Sequence, residues 1–370
     1  MKTIVKQDII VVLIMIVVNI SLFFVPTGFE DKYNQSIRSK ALVLSVDDSH
    51  IEQRGIVKTG VETVKVRILN GQFKGREVSA PNELKGQLEL DKMFKKGDKA
   101  LVVIHHQGKE LVFVNIIDHY RINIEAILFV IFIIILIAFA GITGFKTVLS
   151  FIFTVLTIWK ILIPLFLKGY DPVIVALIIT TIIMLVTTHL VGGLNKKSLV
   201  AFLGAFIGMC TTCILALVFG KAFNLHGAIM PFSESLLYSG YANLNLTKIF
   251  LSGIFIASSG ALMDVTMDIS ASVYELVQIN PEISSGKAIK AGFSVAKAVI
   301  GTMATTLLLA YSGGYTAMLM VFMAQGTPVM NIINMTYVSA EILHTLIGSF
   351  GLVLVAPITA ILAGVMFVKK

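Results

Sequence analysis

Residues 126–145, AILFVIFIIILIAFAGITGF, run for twenty positions without one charged side chain. A helix rises 1.5 Å per residue, so about twenty apolar residues match the roughly 30 Å hydrocarbon layer of a bilayer. Similar runs recur downstream. Of 370 residues, 56% are hydrophobic and 14% charged, and the mean hydropathy is +0.87. A soluble domain of this size has no interior for so much apolar surface. The chain reads as a polytopic α-helical membrane protein, and the lipid bilayer is its first partner.

Apolar runs place spans at about 124–142, 146–167, 172–192, 198–220, 247–273, 288–311, 315–330 and 340–368. An earlier run at 9–25 follows Lys2 and Lys6 and leads into FFVPTGFEDKYNQ, which lacks a small-x-small cleavage site. It reads as an uncleaved anchor with its N-terminus inside. The expected total is about nine spans. Lysines in GLNKK (193–197) and PEISSGKAIK (281–290) then face the cytoplasm, as the positive-inside rule asks, while Lys369 and Lys370 fall outside against it. The stretch 221–245 is too polar to cross and reads as a re-entrant or amphipathic cap.

Residues 30–122 differ in kind. KALVLSV, GVETVKVRILNG, KALVVIHH and ELVFVNII have strand lengths and β-branched content, separated by NGQFKG, PNELKG and KKGDK, which carry turn residues. Five or six short strands predict a small OB-like barrel or a sandwich. Following an N-in anchor, this domain is expected outside the cytoplasm. The domains are therefore an anchor (1–29), an extracytoplasmic β domain (30–122) and an eight-span membrane domain (123–370). RINIEAILFVIF resembles NLNLTKIFLSGIF, and LGAFIG resembles LIGSFG; the pairs predict a parallel four-plus-four repeat.

The net charge of +8 fits cytoplasmic loops and lipid headgroups, and no nucleic-acid module is visible. Cys210 and Cys213 form half a zinc site without a second ligand pair, so they read as small side chains on a helix, and no metal or cofactor is expected. His105 and His106 are neighbours on a strand and point to opposite faces, so they do not share a ligand.

Chemistry concentrates elsewhere. Asp264 and Asp268 are one helical turn apart near mid-membrane, where a charge costs about 2.5–3.5 kcal/mol unless it faces protein or water. Their stripe is expected to turn inward and meet Lys297 at matching depth on the next helix. Glu341 and His344 (i, i+3), Asn331 and Asn334, Lys160, and the break at Gln325 and Pro328 are further polar features at membrane depth. Gly204-x-x-x-Gly208 and Gly348-x-x-Gly351 predict close helix packing.

GALMDVTMDISASVYEL, GTMATTLLLAYSGG and EILHTLIGSFGLVLVAPIT together resemble the YibE/F-like family of bacterial multi-spanning membrane proteins. GQFKGREVSAPNEL and FKKGDKALVVI resemble that family's extramembrane N-terminal domain. The resemblance implies a second, shorter paralogue as partner. It puts Asp264, Glu275, Gly301, Thr302, Glu341, Gly348 and Gly351 on the family motif. It ranks Asp264 above Asp268, which falls where other members accept small residues. It implies no activity. The residues themselves support a secondary permease or a transport-complex subunit in the bacterial plasma membrane. Asp264 is then the coupling carboxylate, Lys297 its counter-charge, and Glu341 a second site residue. A non-transporting scaffold whose outer β domain binds envelope partners is the alternative. An intramembrane hydrolase is the third, and it suffers because both aspartates sit on one helix. A homo-oligomer is a partner choice beside the paralogue.

Overall fold

The computed structural model describes residues 2–29 and 36–368, with side chains from residue 9 onward. Two compact units emerge, Gly28–Leu136 and Met1–Thr27 with Ile137–Lys370.

The first unit is one antiparallel sheet. Its strands are β1 (Ser36–Asp47), β2 (Ile51–Arg54), β3 (Val57–Ile68), β4 (Glu77–Lys85), β5 (Lys99–Gln107) and β6 (Glu110–His119). Ala41 and Val43, Val64, Val66 and Ile68, and Ala100, Val102 and Ile104 recur every second residue and are all buried. Alternation of this kind turns one face of each strand inward. The order runs β6-β5-β1-β3-β4, with β2 continuing β1 along β3. β4 and β6 close on each other without a shared ladder among the described residues, so the sheet curls into a β half-barrel. It is not a sandwich. PNELKG is not a turn in full, because Pro81 lies within β4 opposite Thr63. An edge strand tolerates the missing N–H. His105 lies near the Phe113 ring and His106 near the Phe73 ring, on opposite faces as expected.

A carboxylate is sealed inside this unit. Glu62 is fully buried. It accepts hydrogen bonds from Asn82 Nδ2 at 2.8 Å and from the Phe94 amide at 3.2 Å. Asn82 Nδ2 also donates to the Lys92 carbonyl at 2.6 Å, which ties the loop before β5 to β3 and β4. Burial pushes the Glu62 carboxyl above the usual carboxylate range, partly offset by those donors.

The second unit is helical, and α2 begins in the first unit and enters the second at Ile137. The helices are α1 (Lys2–Phe24), α2 (Ile122–Thr157), α3 (Ile163–Leu167), α4 (Pro172–Gly192), α5 (Lys196–Ala222), α6 (Ser233–Tyr238), α7 (Leu246–Ile279), α8 (Ser285–Ser312), α9 (Thr316–Ala324), α10 (Val329–Asn334) and α11 (Thr336–Met366). Six helices among the described residues are long and apolar enough to cross a membrane, so the expected nine spans are not reached. There are three reasons. The described apolar part of α1, Ile9–Phe24, is a shorter helix that does not count among the six. Residues 122–167 form one 46-residue apolar helix, bent at Gly141, whose φ of 56° few other residues adopt. The span expected at 315–330 breaks into α9 and α10 at Gly326 and Pro328, and neither piece is long enough to cross.

Close contacts order the bundle. A Cβ on Gly208 would lie 2.8 Å from Val355, one on Gly204 would strike Thr359, and one on Gly351 would strike Thr212. Hence α5 and α11 cross antiparallel, with glycines at the seam. LGAFIG and LIGSFG lie on these two helices, so the expected parallel repeat does not hold: its equivalent segments run in opposite senses. Ser150 pairs with Thr187 between α2 and α4. Gly220 meets Leu251 between α5 and α7, and Gly292 meets both Val273 of α7 and Ala360 of α11. From the latter half of α2 through α4, α5, α7, α8 and α11, the direction alternates. Asn19 Nδ2 donates to the Leu149 carbonyl at 3.1 Å, and Ile9 and Leu13 share a wall with Ile137 and Phe145. So α1 runs parallel to that half of α2, and the C-terminal end of α11 lies at the same end of the bundle as the start of α1. The loops at 193–195 and 280–284 lie there too. Lys369, Lys370 and residues 30–35, on which part of the anchor and topology reading rested, are outside the described residues.

At the opposite end, Asp171 caps α4 by accepting from the Val173 amide at 3.0 Å, and it pairs with Lys248. That ammonium holds the Asp171 carboxyl below the usual range. The 221–245 stretch folds back there as a 3₁₀ turn (Gly227–Ile229) and α6, with Leu225 buried beside Leu251, Leu343 and Ile347.

Candidate functional site

Polar side chains at membrane depth fall into two groups. The first is on α7. Asp264 and Asp268 share a face with Gly253 and Ala257, and that face is exposed. The opposite face buries Ser258, Leu262, Val265, Thr266, Ile269 and Val273. The inward-turned carboxylate stripe expected from the sequence is therefore corrected. Lys297 on α8 is exposed as well. The contact of Gly292 with Val273 sets its depth. Five residues onward on α8 and five back on α7 make Lys297 level with Asp268. Still, among the described residues no ion pair joins Lys297 to either aspartate. The buried residues Gly292 and Ala296 form the inner face of α8, and the next residue, Lys297, is rotated by about 100° out of it.

The second group is built where α8 and the 3₁₀ turn Gly313–Tyr315 meet α11. Glu341 and His344 lie one turn apart, on the same side of α11. The Tyr311 ring stacks on His344 with centroids 4.2 Å apart and planes at 27°. Gly348, one turn further on, lies against the edge of that ring, where a Cβ would stand 3.7 Å from it, an ordinary contact. Glu341 Oε1, His344 Nε2 and the Tyr311 hydroxyl are buried with no hydrogen-bond partner among the described residues. Tyr315 and Thr345 are the hydroxyl groups that face the Glu341 carboxyl. Beside it opens a cavity of about 240 Å³ with almost wholly apolar walls. Buried polar groups are normally paired, because an unpaired one costs about 1–3 kcal/mol. Of the three, Glu341 lines the cavity.

The two groups are separate sites. Ser258 of α7 meets Gly348 of α11, and these helices run parallel. Asp264 lies six residues beyond that level and Glu341 seven before it, about 20 Å apart along the bundle. Glu341 and His344 are thus brought together, while Asp264, Asp268 and Lys297 are not part of their cluster. Asn331 and Asn334 are exposed on α10 and join neither group. Lys160 lies in a π-turn (Ile158–Leu162) between α2 and α3. Cys213 is buried and Cys210 half-buried on α5, and no cluster of metal-ligating side chains occurs among the described residues. Sequence reasoning missed Tyr311 and Tyr315. Their signal was i, i+4 spacing around Gly313-Gly314 in an otherwise apolar segment.

The sequence profile of the YibE/F-like protein family matches residues 128–369, and that of the YibE/F family N-terminal domain matches residues 34–119. The chain belongs to the YibE/F-like family. No curated protein and no solved structure matches it. Both polar groups of this YibE/F-like protein fall inside the membrane-domain match, and the β half-barrel falls inside the N-terminal one.

Proposed function

We propose that this YibE/F-like protein is a proton-coupled secondary permease, or the membrane subunit of a transport complex, in the bacterial plasma membrane. One observation carries the reading: Glu341 Oε1, His344 Nε2 and the Tyr311 hydroxyl are buried without a hydrogen-bond partner among the described residues, and Glu341 lines a cavity. Static glue between helices would satisfy its own hydrogen bonds. Groups that exchange a proton or ligand during a cycle leave bonding capacity open. In this mechanism Glu341 and His344 share a proton, and Tyr311 moves with α8 to cover or release it. Asp264 and Asp268 form a second station nearer the other end.

The lysine-bearing loops (Lys196, Lys197, Lys287, Lys290) lie at the end where α1 begins, and the positive-inside rule makes that end cytoplasmic. The β half-barrel is then extracytoplasmic. The exposed Asp264, Asp268 and Lys297 support a second membrane chain over that face, either a shorter paralogue or a second copy. The same exposure favours the runner-up, a scaffold without transport. Among the described residues the hydrolase reading finds no acid on another helix facing Asp264, and Glu341 is about 20 Å away along the bundle.

The test is a substrate-blind uptake screen. Proteoliposomes carrying the full chain are given a proton gradient of either sign and a bacterial metabolite extract, and their contents are read by mass spectrometry. At least one compound should accumulate with the gradient, and Glu341→Gln should abolish it. No enrichment over empty liposomes under either gradient would remove the permease reading and leave the scaffold.

A further inference from the structure

The cavity beside Glu341 has a composition that selects its ligand. We infer that it is a binding site for a lipophilic monocation, a cationic centre carried on apolar groups. This rests on the permease reading only for its role in transport; the binding itself does not.

The walls are Leu308 of α8, Met318 and Leu319 of α9, and Ile342 and Leu346 of α11. Leu308 is 50% exposed, Leu319 43% and Leu346 51%, so the chain itself leaves these walls uncovered. A ligand larger than about 240 Å³ lies partly in the cavity and partly in the bilayer. Glu341 is the one ionisable carboxyl of the lining, and no lysine or arginine lines it. Tyr315 adds an aromatic ring and Met318 a polarisable sulfur. A cation gains from a carboxylate in an apolar setting and from a ring face, and its hydrocarbon gains from the leucines. An anion meets repulsion here, and a strongly hydrated zwitterion loses its water without enough partners to replace it.

The groups facing Glu341 are Tyr315 from the turn after α8 and Thr345 from its own helix, with Tyr311 and His344 one turn away. α9 presents no titratable group, since its sequence is TAMLMVFMA. The carboxyl is therefore the group whose protonation competes with the cation. Binding should weaken as pH falls, which also supplies the exchange step of an antiporter.

The probe is tetraphenylphosphonium, added to the full-length protein in detergent micelles and followed by equilibrium dialysis. Saturable one-to-one binding is expected, with affinity at least tenfold weaker in Glu341→Gln, and tetraphenylborate dialysed in a separate experiment should show no saturable binding. Leu346→Trp keeps the carboxylate and fills the groove, so it should lose binding as well. This second variant keeps the test decisive if Glu341→Gln does not fold. Equal affinity in wild type and both variants, or equal binding of tetraphenylborate, would overturn the site. Binding without proton-driven uptake leaves this inference standing and removes the permease reading. Uptake of other compounds with no tetraphenylphosphonium binding does the reverse.

Discussion

At the scale of single residues, Glu62 links burial to pH. Its carboxyl is sealed beneath β3 and β4 and held above the usual carboxylate range by burial. The folded domain therefore holds its proton more tightly than the unfolded chain. The stability this group contributes is full below the ordinary glutamate range and is lost as pH rises through the raised value. Hydrogen exchange of β3 and β4 amides in the full chain, corrected for intrinsic rates, should show protection falling over that window, and Glu62→Gln should flatten the fall. An unchanged slope in the variant would assign the effect to another group. Glu62→Ala leaves the Phe94 amide without its acceptor and Asn82 Nδ2 with only the Lys92 carbonyl, and it should cost about 1–3 kcal/mol. Asp171 behaves with the opposite sign. Lys248 lowers its pKa, so its contribution is present above the ordinary aspartate range and lost as pH falls through the depressed value.

At the scale of elements, two kinds of glycine separate. Gly208 and Gly351 sit where α5 and α11 touch, and a Cβ at either meets a neighbouring side chain. Alanine there should destabilise by about 1–3 kcal/mol, read as a lower melting midpoint in detergent. Gly301 on α8 faces open space within this chain. Alanine there should leave the midpoint unchanged, or raise it with about 1 kcal/mol of helix propensity. If Gly301→Ala keeps the melting midpoint yet impairs assembly in membranes, the exposed face of α8 is an interface. If it leaves both unchanged, that face only meets lipid.

At the scale of the whole molecule, alternating helix directions tie every loop to one of two ends. With Cys210 and Cys213 replaced by serine, single cysteines at Asn195 and Ser284 should react with an impermeant thiol reagent from one side of the membrane. A cysteine at Ser239 should react from the other. Labelling of all three from one side would break the alternation. A cysteine at Asp264 extends the experiment: labelling from either side means water reaches the α7 face, and protection from both means lipid or a partner covers it.

Much of this was legible before any coordinates. Apolar runs and strand alternation are local, so removal from water is encoded in residue type and period. The membrane class, the strand-rich segment, the glycine seams and the family were all readable on that basis. The placement of Glu341 and His344 on one side of α11 was readable too, because i, i+3 on a helix is a short-range relation. Rotation and register were not. α7 carries small and hydroxyl residues on both sides, Ser258 and Thr266 on one and Gly253 and Ala257 on the other, so composition alone did not say which side packs. Only contacts with α5 and α11 chose the serine side and left Asp264 and Asp268 outward. The Tyr311–His344 stack joins residues on two helices across a chain reversal. Whether 315–330 crosses depended on a break at Gly326 and Pro328 whose outcome the rest of the bundle sets. Such choices are non-local: they are decided by which surfaces fit together, and a linear pattern does not contain the fit.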